Sequence, residues 1–237
     1  MAINENDIKI AAGSGIRWLK LQKPETLKDL SRSIHALSLW KEDAKSQIEL
    51  LLSFQQNGYW IDERQIPDTA RACIALASCG IKESKSIQWI QEQQVNGNWN
   101  NNEIDTSYAL IALSDHGIRN ETGCEWLLNN YGQQWEHVGT TSLIITALIK
   151  QDTYAYRFFI EDRAEWILSK RLFGGWTYVA TSNLAIQALL LAREKDIEKD
   201  ISLSIKWLLD MQKKDNWGDI TSSSLSLISL KLYLNTQ

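Results

Sequence analysis

Proline is nearly missing from this 237-residue chain, with Pro24 and Pro67 the only two, and glycine stops at 12. The many tight turns of an all-β sandwich need more punctuation than that, and no strict apolar–polar alternation runs for long. Cysteine is equally sparse. Cys73, Cys79 and Cys124 are odd in number and show no C-x-x-C spacing, which speaks against a disulfide framework or a structural zinc site and for buried, reduced thiols. There is no excess of basic charge either: the formal net charge is −4, and the run Arg193-Glu194-Lys195-Asp196 with Glu198-Lys199-Asp200 mixes both signs. Nucleic acid is therefore not an expected partner. No apolar run approaches the ~18 residues of a membrane span, and the opening MAINENDIKI lacks the apolar stretch of a signal peptide, so a cytoplasmic location is expected.

What the chain does have is tryptophan, 11 of them. A ring of that size is seldom scattered without a packing purpose, and the spacing is periodic. Trp89, Trp126, Trp166 and Trp207 each precede a second Trp, at 99, 135, 176 and 217. Trp60 extends the second set backwards, with Leu50 in the first position, and Trp18 opens a degenerate copy that has no second Trp. The segments between paired positions end an apolar helix in a polar, usually glycine-bearing turn closed by Trp. These turns are read as structural plugs.

A nine-residue block follows each second Trp: DTARACIAL from Asp68, DTSYALIAL from Asp105, TTSLIITAL from Thr140, TSNLAIQAL from Thr181 and SSSLSLISL from Ser222, with DLSRSIHAL from Asp29 as the first copy. Its first column, three Asp followed by Thr, Thr and Ser, carries side chains suited to N-caps, and the apolar residues behind it predict helices buried on most sides. The reading is one all-α domain over residues 1–237. Six helical hairpins start near residues 15, 43, 82, 120, 158 and 199; closure into a ring is favoured over the alternative, an open superhelix, because neither terminal repeat is polar enough to cap an open stack.

The Trp-ended turns QQNGYW and FGGW, followed by D-T-A in IPDTARACIAL, resemble the QW repeats of squalene–hopene and other class II terpene cyclases, and also the repeats of protein prenyltransferase β subunits. The resemblance runs from about Gly15 to Leu234. It implies an (α/α)6 toroid whose six parallel inner helices surround an apolar cavity for an isoprenoid or other hydrophobic small molecule. Class II cyclases carry D-x-D-D before T-A, with the proton donor next to last; here those positions are Gln65, Ile66, Pro67 and Asp68. The donor position is proline, so acid-initiated cyclisation or isomerisation would fall to Asp68 itself, with Glu63 nearby and Asp105 or Asp29 as further candidates. As a cap, Asp68 should tolerate Asn with little change in stability.

Arg32 and Arg71 share the fourth column of the block and suit an anion clamp near the helix N-termini. Tyr108 stands in that column too, followed by Leu143, Leu184 and Leu225, so the ring should be polar across repeats one to three and apolar beyond. His35 and Gln187 share the seventh column and could line the deeper cavity. Prenyltransferases hold zinc through D-x-C, which is absent here, and a trio of Asp68, Cys73 and His35 would be improvised. No metal or cofactor is expected. Two functions remain open, a small cyclase-like enzyme or a toroid that binds a lipid or a protein partner without catalysis, and the oligomeric state stays unassigned.

Overall fold

The computed structural model describes residues 3–192 and 198–236; the run 193–196 lies outside the described residues. The described residues form twelve α-helices and no β-strand. The odd-numbered helices are α1 (Glu5–Lys20), α3 (Lys45–Ser53), α5 (Ser84–Glu92), α7 (Glu121–Asn130), α9 (Arg157–Ser169) and α11 (Glu198–Asp210). The even-numbered ones are α2 (Leu27–Leu39), α4 (Gln65–Ser78), α6 (Glu103–Asp115), α8 (Val138–Asp152), α10 (Val179–Ala192) and α12 (Ile220–Leu234). Each even helix packs on the next, and α12 packs back on α2, so these six form a closed inner ring. The odd helices lie outside it, each against neighbouring inner helices, with α1 seated on α12. This is the (α/α)6 toroid.

The chain ends meet at the seam through directional bonds. Trp40 Nε1 donates to the Leu227 carbonyl at 2.9 Å, Gln212 Nε2 donates to the Ala11 carbonyl at 2.9 Å, and Arg32 donates to Thr221 Oγ1 at 3.0 Å. Helix α1 begins at Glu5, ahead of the start near residue 15, because Ile8, Ala11 and Ala12 already make a buried face at helical spacing.

The tryptophan plugs explain how outer and inner helices are joined. The indole N–H of Trp60, Trp99, Trp176 and Trp217 donates to the carbonyl nine residues earlier, at Leu51, Ile90, Ile167 and Leu208, over 2.6–2.9 Å. A last-turn carbonyl of each outer helix thereby gains a side-chain donor, and at Leu51, Ile90 and Ile167 it adds to a backbone N–H bond from three residues on. The backbone N–H of the same Trp donates to a hydroxyl in the second column of the following block: Thr69, Thr106, Ser182 and Ser223. Each ring is buried at the junction. Where such a plug sits, the next outer helix carries a small residue: a Cβ on Gly15 would lie 2.7 Å from Trp217, and one on Gly123 would lie 3.3 Å from Trp99.

Repeat four departs from this pattern. Its turn is one residue shorter, with Leu127 and Trp135 eight apart, and residues Gln133–Trp135 form a 3-10 turn. Trp135 does not bond the helix end and packs at a tilt against Trp126, ring centres 5.4 Å apart, while Tyr131 Oη takes the hydrogen bond to Thr141 at 2.9 Å.

The first column does not cap the inner helices as expected. The caps stand three residues earlier: Thr26 for α2, Asn102 for α6 and Asp219 for α12 accept first-turn N–H bonds, whereas Arg64 and His137 precede α4 and α8 without a side-chain cap bond. In α4, α6, α10 and α12 the second-column hydroxyl is tied to the Trp backbone, and in all six inner helices about one further turn forms ahead of the block. Pro67 fits as the third residue of α4 because first-turn N–H groups have no intrahelical acceptor.

Candidate functional site

Because the inner helices share one direction, residues of the same column meet at the same level of the ring. The fourth, seventh and eleventh positions of the blocks fall on one helical face, and that face lines a central cavity of about 280 Å3. Its wall holds nine aliphatic side chains: Leu39, Ile74, Ile111, Leu143, Leu184, Leu191, Leu225, Ile228 and Leu232. Arg32, Arg71, Tyr108 and Ser31 line it at the end nearer the helix N-termini, His35, Thr146 and Gln187 midway, and Lys150 at the far level. The fourth-column asymmetry is thus realised, with polar groups from repeats one to three facing leucines from four to six.

At the polar end Arg32 Nη2 reaches across to Tyr108 Oη at 3.4 Å, and the Arg71 guanidinium lies 4.9 Å from the centre of the Tyr108 ring. Burial by itself raises the Tyr108 phenol, yet the Arg32 and Arg71 charges together hold it below its ordinary value. Arg32 also donates to Thr221, whose hydroxyl donates to Asp29 Oδ1 at 2.6 Å. Asp29 is thereby a support for Arg32, one hydroxyl removed.

Asp68 is the most heavily bonded carboxylate of the site. Its Oδ2 accepts the backbone N–H groups of Asp62, Glu63 and Arg64 at 3.0, 2.9 and 2.9 Å, and its Oδ1 accepts from Arg71 at 3.2 Å. The side chain is 1% exposed and does not line the cavity. Asp105 is equally buried, 2.6 Å from Arg64 Nη2 in an ion pair without hydrogen-bond alignment, and accepts from Asn100 at 2.8 Å. Glu63 is exposed and faces Lys28 at 3.9 Å. None of the four candidate carboxylates lines the cavity.

His35 lines the cavity without a hydrogen-bond partner among the described residues. Desolvation, reinforced by the Lys150 charge and only partly opposed by Asp115, lowers its pKa to about 4. Its contribution to pH dependence follows from that direction. Unfolded His titrates near 6.5, so the stability held by the neutral ring is complete above pH 6.5 and drains away as pH falls towards 4. The expected loss across that window is up to about 3 kcal/mol at 1.36 kcal/mol per unit. Denaturant titrations at pH 7 and pH 4.5 should differ less for His35→Phe than for the parent protein; equal differences would remove His35 as the cause.

Gln187 donates to the Leu225 carbonyl and to Ser229 Oγ, both at 3.1 Å, which fixes it against α12 at the cavity wall. Asp68, Cys73 and His35 do not gather: among the described residues no group of three or more His, Cys, Asp or Glu could hold a metal. Burial pushes the Cys73 thiol up, away from the thiolate a metal would need. Two polar lining residues escaped the sequence reading, Ser31 and Lys150, as did the leucines beyond the seventh column. Lys150 is ion-paired with Asp115. Its eleventh position repeats the spacing of the fourth and seventh, and extending that series would have found it.

No helix among the described residues is long and apolar enough to cross a membrane. No protein-family model matches the chain, and no curated protein does. Among solved structures, the apo type II terpene cyclase MstE from Scytonema superposes with a TM-score of 0.76 at 14% identity, covering 98% of this chain and 100% of that one. The chain shares the fold of a type II terpene cyclase.

Proposed function

We propose that the ring is a binding chamber for a small hydrophobic molecule of isoprenoid class, held with its polar end at Arg32, Arg71 and Tyr108. The observation that carries this is the cavity itself, a largely aliphatic space of about 280 Å3 closing on two arginines and a tyrosine at one level. Its volume lies at the lower edge of the ~300–1,000 Å3 of ordinary ligand sites. The likeness of fold to a type II terpene cyclase supports the substrate class. Binding without turnover is the better-supported form, because the lining contains no carboxyl group among the described residues, and alkene protonation needs a strong acid in contact with the substrate.

The second reading is acid-initiated cyclisation or isomerisation, with Asp68 as the acid and Glu63 or Asp105 in reserve. It is favoured by the direct bond between Asp68 and Arg71, which does line the cavity. Incubation with linear prenyl diphosphates and squalene-type substrates, followed by mass spectrometry of bound and released material, separates the two. Recovery of unchanged substrate, with no cyclised or isomerised product, is expected. A cyclised product that disappears in Asp68→Asn, assayed well below that variant's melting temperature, would establish the second reading.

A further inference from the structure

The polar end of the cavity has donors that the fold leaves unused. Arg71 is about nine-tenths buried, and its Nε has no hydrogen-bond partner. Ser31, 1% exposed, lines the same cavity with an equally unpartnered hydroxyl. Tyr108 accepts from Arg32 and keeps its own proton to give. Buried donors left without acceptors cost free energy, and the residues that carry these three, one of them cationic, line one level of the cavity. What they lack is an anion.

The charge of that anion is limited by its neighbours. Arg71 is already paired with Asp68, and Arg32 reaches Asp29 through Thr221, so the two guanidiniums and the two carboxylates balance. Lys28, the remaining cation acting on Tyr108, is matched by Glu63. A single added charge finds unused N–H and O–H donors, whereas a diphosphate would bring several uncompensated charges into a buried site.

The size of the body is set by the cavity. Arg32 and Leu39, like Leu143 and Lys150, are seven residues apart, which places the far level about 10 Å from the guanidiniums at 1.5 Å per residue. An apolar cavity of ~150 Å3 holds benzene, six carbons, and the same ratio allots roughly 11 non-hydrogen atoms to 280 Å3.

Resting on the chamber reading above, we infer that the ligand is a monoanionic amphiphile of about ten carbons, a medium-chain or monoterpenoid-sized carboxylate whose head group meets Arg71, Tyr108 and Ser31. Length and head group make separate demands, so each is tested separately.

Isothermal titration calorimetry with decanoate, decanol, hexadecanoate and geranyl diphosphate is the direct experiment. Decanoate should bind at least tenfold more tightly than decanol, since a charge-assisted bond exceeds a neutral one, and at least tenfold more tightly than hexadecanoate, which overruns the cavity. Tyr108→Phe and Arg71→Lys should each weaken decanoate fivefold or more and leave decanol within twofold; if Arg71→Lys does not fold, Tyr108→Phe carries the comparison. Equal affinity for decanol and decanoate would overturn the head-group assignment while leaving the chamber intact. Tighter binding of geranyl diphosphate would overturn the monoanion, and tight hexadecanoate binding would overturn the size. Failure of all four to bind would overturn both this inference and the chamber.

Discussion

Asp68→Asn is expected to lower the melting temperature by about 10 °C, although the amide is nearly isosteric with the carboxylate. One oxygen of Asp68 collects three backbone N–H groups from the loop entering α4, and the other meets Arg71. Asparagine can keep only one of these sides. With its oxygen on the three N–H groups, its NH2 faces the guanidinium, donor against donor, and a buried Arg71 loses its counter-charge. Breaking a buried pair from one side costs ~3–5 kcal/mol, and a domain of this size loses ~2–4 °C per kcal/mol. Thermal unfolding followed by circular dichroism decides the matter. An unchanged melting temperature would mean that Arg71 is balanced elsewhere and that Asp68 serves only the loop.

The second large effect is expected at Trp217, and its contrast with Trp135 is the sharper test. Trp217 is 3% exposed, donates its indole N–H to the Leu208 carbonyl and its backbone N–H to Ser223 Oγ, and lies under Gly15 of α1, where the two ends of the chain meet. Trp217→Ala removes all of that packing at a place where Gly15 has no side chain with which to fill the space. A cost of about 3–5 kcal/mol follows, as for other fully buried large aromatics. Trp135 stands in the equivalent place in the sequence but outside the junction, half-buried and packed at a tilt against Trp126. Trp135→Ala should cost about 1 kcal/mol, the worth of an aromatic pair. Urea titrations of both variants would contradict the plug mechanism if the two losses were alike.

That contrast also marks how far the sequence could be read. The period, the helix pairs and the inward face of columns four and seven depend on spacings of three to ten residues, and such spacings are fixed along the chain. Trp60, Trp99, Trp176 and Trp217 were recognisable as helix-ending plugs for the same reason, and the odd one out was visible in principle, because Trp135 follows its helix one residue early. The first column was misread. Asp, Thr and Ser are good caps, but Thr26, Asn102 and Asp219, three residues ahead of the column, take that place in α2, α6 and α12.

The ring decided what no local pattern contains. Arg32 meets Tyr108 from two repeats away and Thr221 from the opposite end of the chain, contacts that exist only because α12 closes on α2. Closure also fixed the distance across the centre, leaving about 280 Å3 open instead of filled. The repeats were determined by the sequence, since each hairpin is a local amphipathic unit. Which of their side chains share a cavity, and which merely support it, depended on six such units packing around one axis.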